Sequence, residues 1–441
     1  MSFPNYPAYK DSGVEWIGEI PVGWKIEKFR YIFFESKEKI ETEKDISGDM
    51  LSVSGYRGVE IKKYDDENKK RLSYELIGYR IVRKRQLVIN TMWLNFSGLG
   101  VSWLNGNVSP AYRCYSVNEN IIDINYTNYL LRSSVYVLGY SKYLQGIRPN
   151  SLQMSREDLM PFPIILPSLP EQQAIARFLD RECGKIDALI AEQERLIALL
   201  AEKRQAVISH AVTKGLNTNA PMKDSGIPWI GMVPEGWEVV RLSLVSDHIS
   251  SGTTPDTNNE NFYDGDICWV TTGELREAAI KNTTKKVTKL ALEKFSALQI
   301  YPPGTLLLAM YGATVGRIAW LETHATTNQA CCALVFSKKI KMKFVFYTML
   351  AAKESLLLLS SGGGQPNINQ EKVRSFRIPV PSLSEQSKII DFLDSNMKDL
   401  DSLSGKIEKT LLLFKERRSA LISAAVTGKI DVRAQSKAIA A

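Results

Sequence analysis

The sequence predicts an α+β protein built by internal duplication: two mixed domains, each trailed by a long helix, with the two helices paired as an antiparallel coiled coil. Three observations predict it. Two segments recur at a fixed offset, each presumptive helix carries a 3-4 apolar seam, and two divergent blocks alternate β-rich runs with turns. At 441 residues the chain has room for two or three domains with real cores.

The repeats set the frame. Lys10–Trp24 reads KDSGVEWIGEIPVGW and Lys223–Trp237 reads KDSGIPWIGMVPEGW, ten identities in fifteen positions at an offset of 213. Pro167–Asp180 (PSLPEQQAIARFLD) matches Pro381–Asp394 (PSLSEQSKIIDFLD) at nine of fourteen, offset 214. Ala211-Val212-Thr213 returns as Ala425-Val426-Thr427. Such a period is far too long for a solenoid, so the repeating object is a whole domain with its helix. The expected divisions are 1–167 for the first domain with its shared N-terminal element, 168–215 for the first helix and 216–380 for the second domain. The second helix follows at 381–430, with a tail at 431–441.

In the first divergent block, strands are predicted near Gln86–Asn90 and Tyr112–Val117, a turn at Asn105-Gly106 and a helix over Tyr126–Tyr140. Residues 57–85 hold ten Lys or Arg against five acids, with Tyr56, Tyr64, Tyr74 and Tyr79 interleaved. Lys and Arg neutralise phosphates, and Arg, Asn and Gln read base edges. A solvated loop is the ordinary alternative. Gly146-Ile-Arg148-Pro149-Asn150 closes the block, where it is either a close-approach loop or a hinge.

Each PSL element opens a helix. Ser168-x-x-Glu171 and Ser382-x-x-Glu385 are capping-box patterns, in which the hydroxyl satisfies one free N–H and the carboxylate reaches back to another. The first helix has a seam of Ile175, Leu179, Ile186, Leu189, Leu196, Leu200 and Val207. The same frame plus 214 gives Ile389, Leu393, Leu400, Leu403, Ile407, Phe414 and Leu421. Polar residues are placed on the seam at Gln193, Lys203, Asn396 and Arg417, where they cost stability and fix register. About 40 residues at 1.5 Å rise make a rod of roughly 60 Å. Pairing by duplication makes the helices antiparallel and brings residues 425–430 to residues 10–13.

In the second block, strands are predicted near Ile267–Thr271, Thr305–Met310 and Ala330–Phe336, with a turn at Asp264-Gly265 and a helix over Lys343–Leu359. Basic clusters fall at Lys281, Lys285, Lys286 and Lys289, and at Lys338, Lys339, Lys341 and Lys343. Gly362-Gly363-Gly364-Gln365-Pro366-Asn367 holds the place of the glycine loop in the first block. Only a weak echo joins the blocks, Gly100-Val-Ser-Trp103-Leu104 against Gly316-Arg-Ile-Ala-Trp320-Leu321.

Composition narrows the classes. A net charge of +8 suits a polyanionic partner or a mildly basic cytoplasmic protein. The N-terminus lacks the pattern of a signal peptide, and charges or glycines break every apolar stretch, so a cytoplasmic location without membrane attachment is expected. Five cysteines without C-x-x-C spacing and three scattered histidines make a metal site improbable. Cys331-Cys332 reads as two small core residues.

The arrangement, KDSG-x-x-WIG-x-x-P-x-GW, a variable block, PSL-x-EQ-x-x-I-x-x-FLD and AVT, all occurring twice, resembles the specificity subunit of type I restriction–modification systems. Ser251-Gly-Thr-Thr-Pro255, Tyr311-Gly-Ala-Thr-Val-Gly-Arg317, Thr326-Thr-Asn-Gln-Ala330 and Gly364-Gln-Pro-Asn367 strengthen the resemblance. The first block departs from it, with Val108-Ser-Pro-Ala-Tyr112 in place of the Thr-Asn-Gln element. The resemblance implies two target-recognition domains, each reading half of a bipartite site on double-stranded DNA. It also implies spacer helices that dock two methyltransferase subunits, and through them restriction–motor subunits. S-adenosylmethionine, ATP and magnesium would belong to those partners, with no cofactor on this chain. Candidate DNA contacts are Arg57, Lys62, Lys63, Arg80, Arg83, Arg148 and Asn150 in the first block. In the second they are Thr253, Thr254, Lys285, Lys286, Tyr311, Arg317, Asn328, Gln329, Gln365 and Asn367.

Two other classes compete with this reading. Phe96-Ser-Gly-Leu-Gly100 fits the F-x-G-x-G of amino-methyltransferases, but no N/D-P-P-Y/F/W element accompanies it and a β-turn explains the glycines. No phosphate-binding G-x-x-x-x-G-K-[ST] loop occurs, and Pro255-Asp256 lacks a downstream E-x-K. A coiled-coil scaffold without DNA reading leaves the two elaborate blocks without a purpose. The expectation is a non-catalytic recognition subunit.

Overall fold

The acid of each KDSG element closes its own turn: Asp11 accepts the N–H of Gly13 at 2.9 Å and Asp224 that of Gly226 at 3.0 Å. Each turn belongs to a short hairpin, Tyr9–Asp11 with Glu19–Pro21 and Met222–Asp224 with Met232–Pro234. The structure, a computed structural model, describes residues 3–46, 48–64, 73–146, 152–359 and 367–433. The chain forms two compact units, Met1–Glu194 with Glu408–Ala441, and Arg195–Ile407. The helices used below are α1 (Ile124–Arg132), α2 (Ser134–Ser141), α3 (Leu169–Lys214), α4 (Met342–Ala351), α5 (Lys353–Leu358) and α6 (Leu383–Val426).

The two divergent blocks share one sheet topology. In the first unit a four-stranded sheet runs in the order Phe33–Glu35, Tyr112–Val117, Leu87–Asn90, Leu99–Val101. In the second unit Ser246–Ser251, Cys331–Phe336, Leu306–Ala309 and Ile318–Leu321 repeat that order, with Ala279–Ile280 added at the edge. A parallel pair recurs as well: Gly106–Val108 beside Asp49–Ser54, and Ala325–Thr327 beside Tyr263–Val270. Ile89 faces Leu99 where Leu308 faces Ile318, so Gly100 corresponds to Ala319. The sequence echo of Gly100 with Gly316 is therefore not a structural equivalence. Gly100 lies within a strand, whereas Gly316 sits in a turn at φ +80°.

Predicted strands fall where expected, and three local expectations change. The helix expected over Tyr126–Tyr140 is two helices, because Ser133 adopts an extended conformation and caps α2. That over Lys343–Leu359 breaks at Ala352 into α4 and α5. Asp264-Gly265 is a bulge inside the strand Tyr263–Val270, with Asp264 at φ +57°, rather than a turn between strands.

The repeated PSL-x-EQ and FLD residues anchor each long helix. Gln172 accepts the N–H of Asp123 at 2.7 Å and donates to the carbonyls of Ile121 and Pro167, which fixes the entry to α1. Gln386 accepts from the N–H of Lys341 at 2.8 Å and donates to Pro381, which fixes the entry to α4. Asp180 accepts the Tyr129 hydroxyl at 2.8 Å, and Asp394 accepts that of Tyr347 at 2.6 Å. The capping-box serine Ser382 does accept the N–H of Glu385, at 3.3 Å. The box carboxylates are turned elsewhere, however: Glu171 accepts from the Tyr6 hydroxyl and Glu385 from the Trp237 indole. These partners are tertiary, so the local pattern alone could not reveal them.

Within each unit the long helices run antiparallel. In the first, Arg418 grips Asp187 through two bonds of 2.7 and 3.1 Å, and Lys415 lies 3.6 Å from Glu194. In the second, Arg204 pairs with Asp401. Asp401 and Arg418 are Asp187 and Arg204 shifted by 214, so the duplication has copied an ion pair across the seam.

The seam itself needs correction. Leu189, Leu196 and Leu403 are exposed, at 47%, 36% and 43%. Burial follows Leu179, Cys183, Ile186, Ile190, Gln193, Ile197, Leu200, Arg204, Val207 and Ala211, a strict alternation of four and three. On α6 the same frame is Leu393, Met397, Leu400, Ser404, Ile407, Leu411, Phe414, Arg418, Leu421 and Ala425. The polar seam residues are therefore Gln193, Arg204, Ser404 and Arg418, while Lys203 and Arg417 face outward. Leu189-Ile190 and Leu196-Ile197 each offer two adjacent apolar residues. The polar residues at 193 and 204 hide the alternation that would choose between them.

The chain ends of the first unit meet. Tyr9 donates its hydroxyl to the Gly428 carbonyl at 3.0 Å, and Asp431 donates its N–H to the Pro4 carbonyl at 2.7 Å. Gly428, at φ +74°, takes the left-handed turn after α6 beneath Trp24, and Gly215, at φ +72°, does so after α3 beneath Trp237.

Candidate nucleic-acid interface

In the second unit the sheet brings four separated loops together. Gly252 lies so close to Thr327 that a Cβ would sit 1.7 Å from its carbonyl oxygen, which requires glycine there. This approach lets Thr254 donate its hydroxyl to Gln329 at 2.5 Å, while the Gly252 N–H reaches the Thr327 hydroxyl at 3.0 Å. The Met310 N–H bonds to the Ala330 carbonyl, and the Ile368 N–H to the Met310 carbonyl at 2.7 Å. Tyr311 and Asn367 then pair as an isolated antiparallel bridge. Thr253, Thr254, Tyr311, Asn328, Gln329 and Asn367 thus belong to one linked surface, half-buried or exposed throughout, with Arg317 exposed at the end of the 311–317 turn.

Two supports were not apparent in the sequence. Trp269 donates its indole N–H to the Thr253 carbonyl at 3.2 Å and its backbone N–H to the Lys285 carbonyl at 3.3 Å, tying Lys285 to the loop. Gln370 donates to the Ser251 hydroxyl at 2.8 Å. Lys286 lies in the strand paired with Cys268. The third basic cluster serves a different purpose: Lys343 is bound to Asp394 at 2.6 Å, at the start of α4. Burial raises the Tyr311 hydroxyl above the ordinary phenol range, so it is a neutral donor at working pH.

The first unit is built differently at the same places. The Met154 N–H bonds to the Thr91 carbonyl as Ile368 does to Met310, which makes Gln153, not Asn150, the counterpart of Asn367. The loop equivalent to 311–317 is then 92–98. It displays Trp93 at 51% and Phe96 at 55% exposure, with ring centroids 5.5 Å apart. The F-x-G-x-G segment is thus part of an aromatic loop, and Ser97 takes its left-handed turn at φ +56°. Trp93 and Phe96 were missed because an exposed aromatic looks like a core residue in sequence. Ser109 and Pro110 replace Asn328 and Gln329.

Much of the basic run is already paired. Arg57 contacts Glu60 at 2.6 Å, Arg80 lies 3.8 Å from Glu35, and Arg83 binds Glu38 through bonds of 3.0 and 2.8 Å. Arg85 pairs with Glu119. Lys62 lies over the Tyr64 ring at 5.1 Å, and Lys63 is exposed. Arg148, Asn150 and Gln365, like Lys69, Lys70 and Arg71, lie outside the described residues.

Residues 234–412 match the family model described as type I restriction modification DNA specificity domain. A putative type I restriction enzyme MjaX specificity subunit from Methanocaldococcus jannaschii is 25% identical over 95% of this chain and 96% of its own length. The StySPI specificity subunit of Salmonella potsdam is 25% identical over 71% of this chain and 67% of its own. The MjaIX specificity subunit, also from Methanocaldococcus jannaschii, is 28% identical, but the match spans only 44% of that relative. A solved structure titled for complex assembly and conformational transition of the type I R-M system shares the fold. It aligns at TM-score 0.69 and 15% identity, over 92% of this chain and 98% of the other. Residues 234–412 thus match a type I specificity domain, and similarity to type I specificity subunits extends along nearly the whole chain. Among the described residues, no helix is long and apolar enough to cross a membrane. No group of three or more His, Cys, Asp or Glu there could hold a metal ion. All five cysteines are free and buried, and burial pushes the Cys332 thiol up to about 12.

Proposed function

We propose that each unit reads one half of a bipartite, asymmetric site on double-stranded DNA. The observation that carries this reading is one sheet topology presenting different chemistry at equivalent loops. Trp93 and Phe96 with Ser109-Pro110 stand in the first unit where Tyr311–Arg317 with Asn328-Gln329 stand in the second. Amide and guanidinium groups on such loops discriminate bases by about 1–3 kcal/mol per bidentate pair, and the lysines supply salt-dependent affinity. Different loops imply different half-sites.

The repeated surfaces then serve two copies of one partner, a methyltransferase subunit, with restriction–motor subunits joining through it. Leu189 and its repeat Leu403 are exposed at 47% and 43%, and Leu199 and its repeat Leu413 at 47% and 62%. In the observed frame these residues occupy the same flank of the seam, so each unit offers an apolar strip to a partner helix. S-adenosylmethionine, ATP and magnesium are assigned to those partners. The helices, 46 and 44 residues long, set the gap between half-sites.

Co-expression with the neighbouring methyltransferase, followed by genome-wide adenine-methylation mapping, tests the reading. A gapped asymmetric motif is expected, and one extra helical turn in each long helix should lengthen the gap. A continuous motif would overturn bipartite reading, and an unchanged gap would overturn the spacer role.

A further inference from the structure

The first unit holds an open cavity of about 500 Å³ that the recognition loops do not use. Its walls are the turn after Asp49–Ser54, α1, the start of α2 and the last part of α6. Arg132 is its deepest charge. Its Nη2 donates to the carbonyls of Gly55 and Tyr56 at 2.9 and 2.8 Å. The guanidinium crosses Gly58 and Gly100, where a Cβ would lie 2.0 and 3.2 Å from Nη1, so both glycines make room for it.

Among the described residues, no carboxylate pairs with Arg132. Among the cavity's other cations, Arg57 is engaged by Glu60, Lys415 by Glu194 and Arg418 by Asp187. Asp180, an acid of the lining, accepts the Tyr129 hydroxyl. Burial lowers the Arg132 pKa to about 10, and the nearby Arg418 pushes it the same way. A half-buried cation whose strongest charged neighbour is another cation is stabilised by an entering anion. Lys415 and Ser419 reach the cavity from α6 with further donors, and Trp103, 40% exposed, gives it a flat apolar wall.

We propose that this cavity binds a phosphate ester, with the anion between Arg132, Arg418 and Lys415 and the organic part against Trp103. The volume exceeds what phosphate alone fills and suits a nucleotide-sized group. The second unit is not built this way. Aligning Tyr129 with Tyr347 puts Leu350 in the place of Arg132, and Lys343, in the place of Asn125, is taken by Asp394. The phosphate ester has two sources: a free nucleotide, or a backbone phosphate of bound DNA. Only the second rests on the DNA-reading proposal.

The test uses the full chain and the variants Lys415→Gln and Ser419→Ala, with Lys409→Gln as an exposed control on the same helix. Arg132→Leu is informative only if it folds, since Arg132 also holds residues 55–56. Thermal unfolding is followed with AMP or inorganic phosphate against chloride at matched ionic strength, and duplex binding is followed across a salt series. A Tm rise with AMP in wild type and Lys409→Gln, with Kd about tenfold weaker in Lys415→Gln, assigns the site to a free phosphate ester. No AMP response, but a salt slope reduced by about 0.9 in Lys415→Gln relative to Lys409→Gln, assigns it to a DNA phosphate. Equal AMP responses and equal slopes in all variants overturn the site, whether or not the chain binds DNA.

Discussion

In the first unit Glu171 accepts a hydrogen bond from Tyr6, and the buried indole of Trp24 has no partner among the described residues. In the second unit Glu385, the repeat of Glu171, accepts from the indole of Trp237, the repeat of Trp24. The two tryptophans and two glutamates occupy the same places, but the N-terminal segment of the first unit has inserted a tyrosine between them. Duplication has preserved positions more faithfully than bonds. Contacts that bury apolar surface or fix a helix entry are copied, as with Gln172 and Gln386, whereas polar contacts at the edge drift. The loops meant to differ are carried by a frame that tolerates such drift.

The sharpest way to break this comparison is at the seam. Ile190→Ala should cost about 2–5 kcal/mol in urea unfolding, as for a buried branched side chain, and Leu189→Ala no more than about 0.5 kcal/mol. Ser404 is the repeat of Ile190, so the two helices are not equally apolar at this position. Equal costs at 189 and 190 would restore the leucine frame.

That frame shows what a sequence can reveal here. The duplication, the long helices and most strands are legible because identity and periodicity are local properties. The seam register is not, because Gln193 and Arg204 are polar residues on the buried face, tolerated by partners on the other helix. Arg204 meets Asp401 and Arg418 meets Asp187, pairings about 200 residues apart that no window contains. The second-unit site was legible through its family-like segments. The first-unit loop at Trp93 and Phe96 was not, since only the sheet register aligns it with 311–317.

The copied ion pair gives the next test. Arg418 is 22% exposed, binds Asp187 through two bonds and lies 5.3 Å over the Tyr56 ring, whereas Arg204 is 39% exposed and its partner Asp401 60%. A double-mutant cycle should return a coupling of about 2 kcal/mol for Arg418–Asp187 and below about 1 kcal/mol for Arg204–Asp401. Equal couplings would mean that Tyr56 contributes nothing. Tyr6→Phe is expected to cost about 1 kcal/mol or less, because it frees Glu171 to receive the Trp24 indole as Glu385 receives Trp237. A larger loss would show that the edge contacts cannot interchange.

The smallest effect separates the two chain junctions by pH. Asp431 donates its N–H to Pro4, and its carboxylate accepts the backbone and side-chain N–H groups of Arg433, whose guanidinium lies 4.8 Å over Tyr6. The side-chain hydrogen bond from Arg433 holds the Asp431 carboxyl below its ordinary 3.8, with burial opposing it. A folded pKa below the unfolded one contributes stability that is fully present above the unfolded value and lost as pH falls through the folded value. The junction after α3 has Asn217-Thr218 in the corresponding stretch, with no carboxylate to titrate. Hydrogen exchange at residues 428–433 should therefore quicken relative to residues 215–220 as pH drops from about 4 towards 2, after correction for intrinsic rates. In Asp431→Asn that differential should vanish. If it persists, the first junction owes its acid response to another group, and the closing of the chain does not depend on this pair.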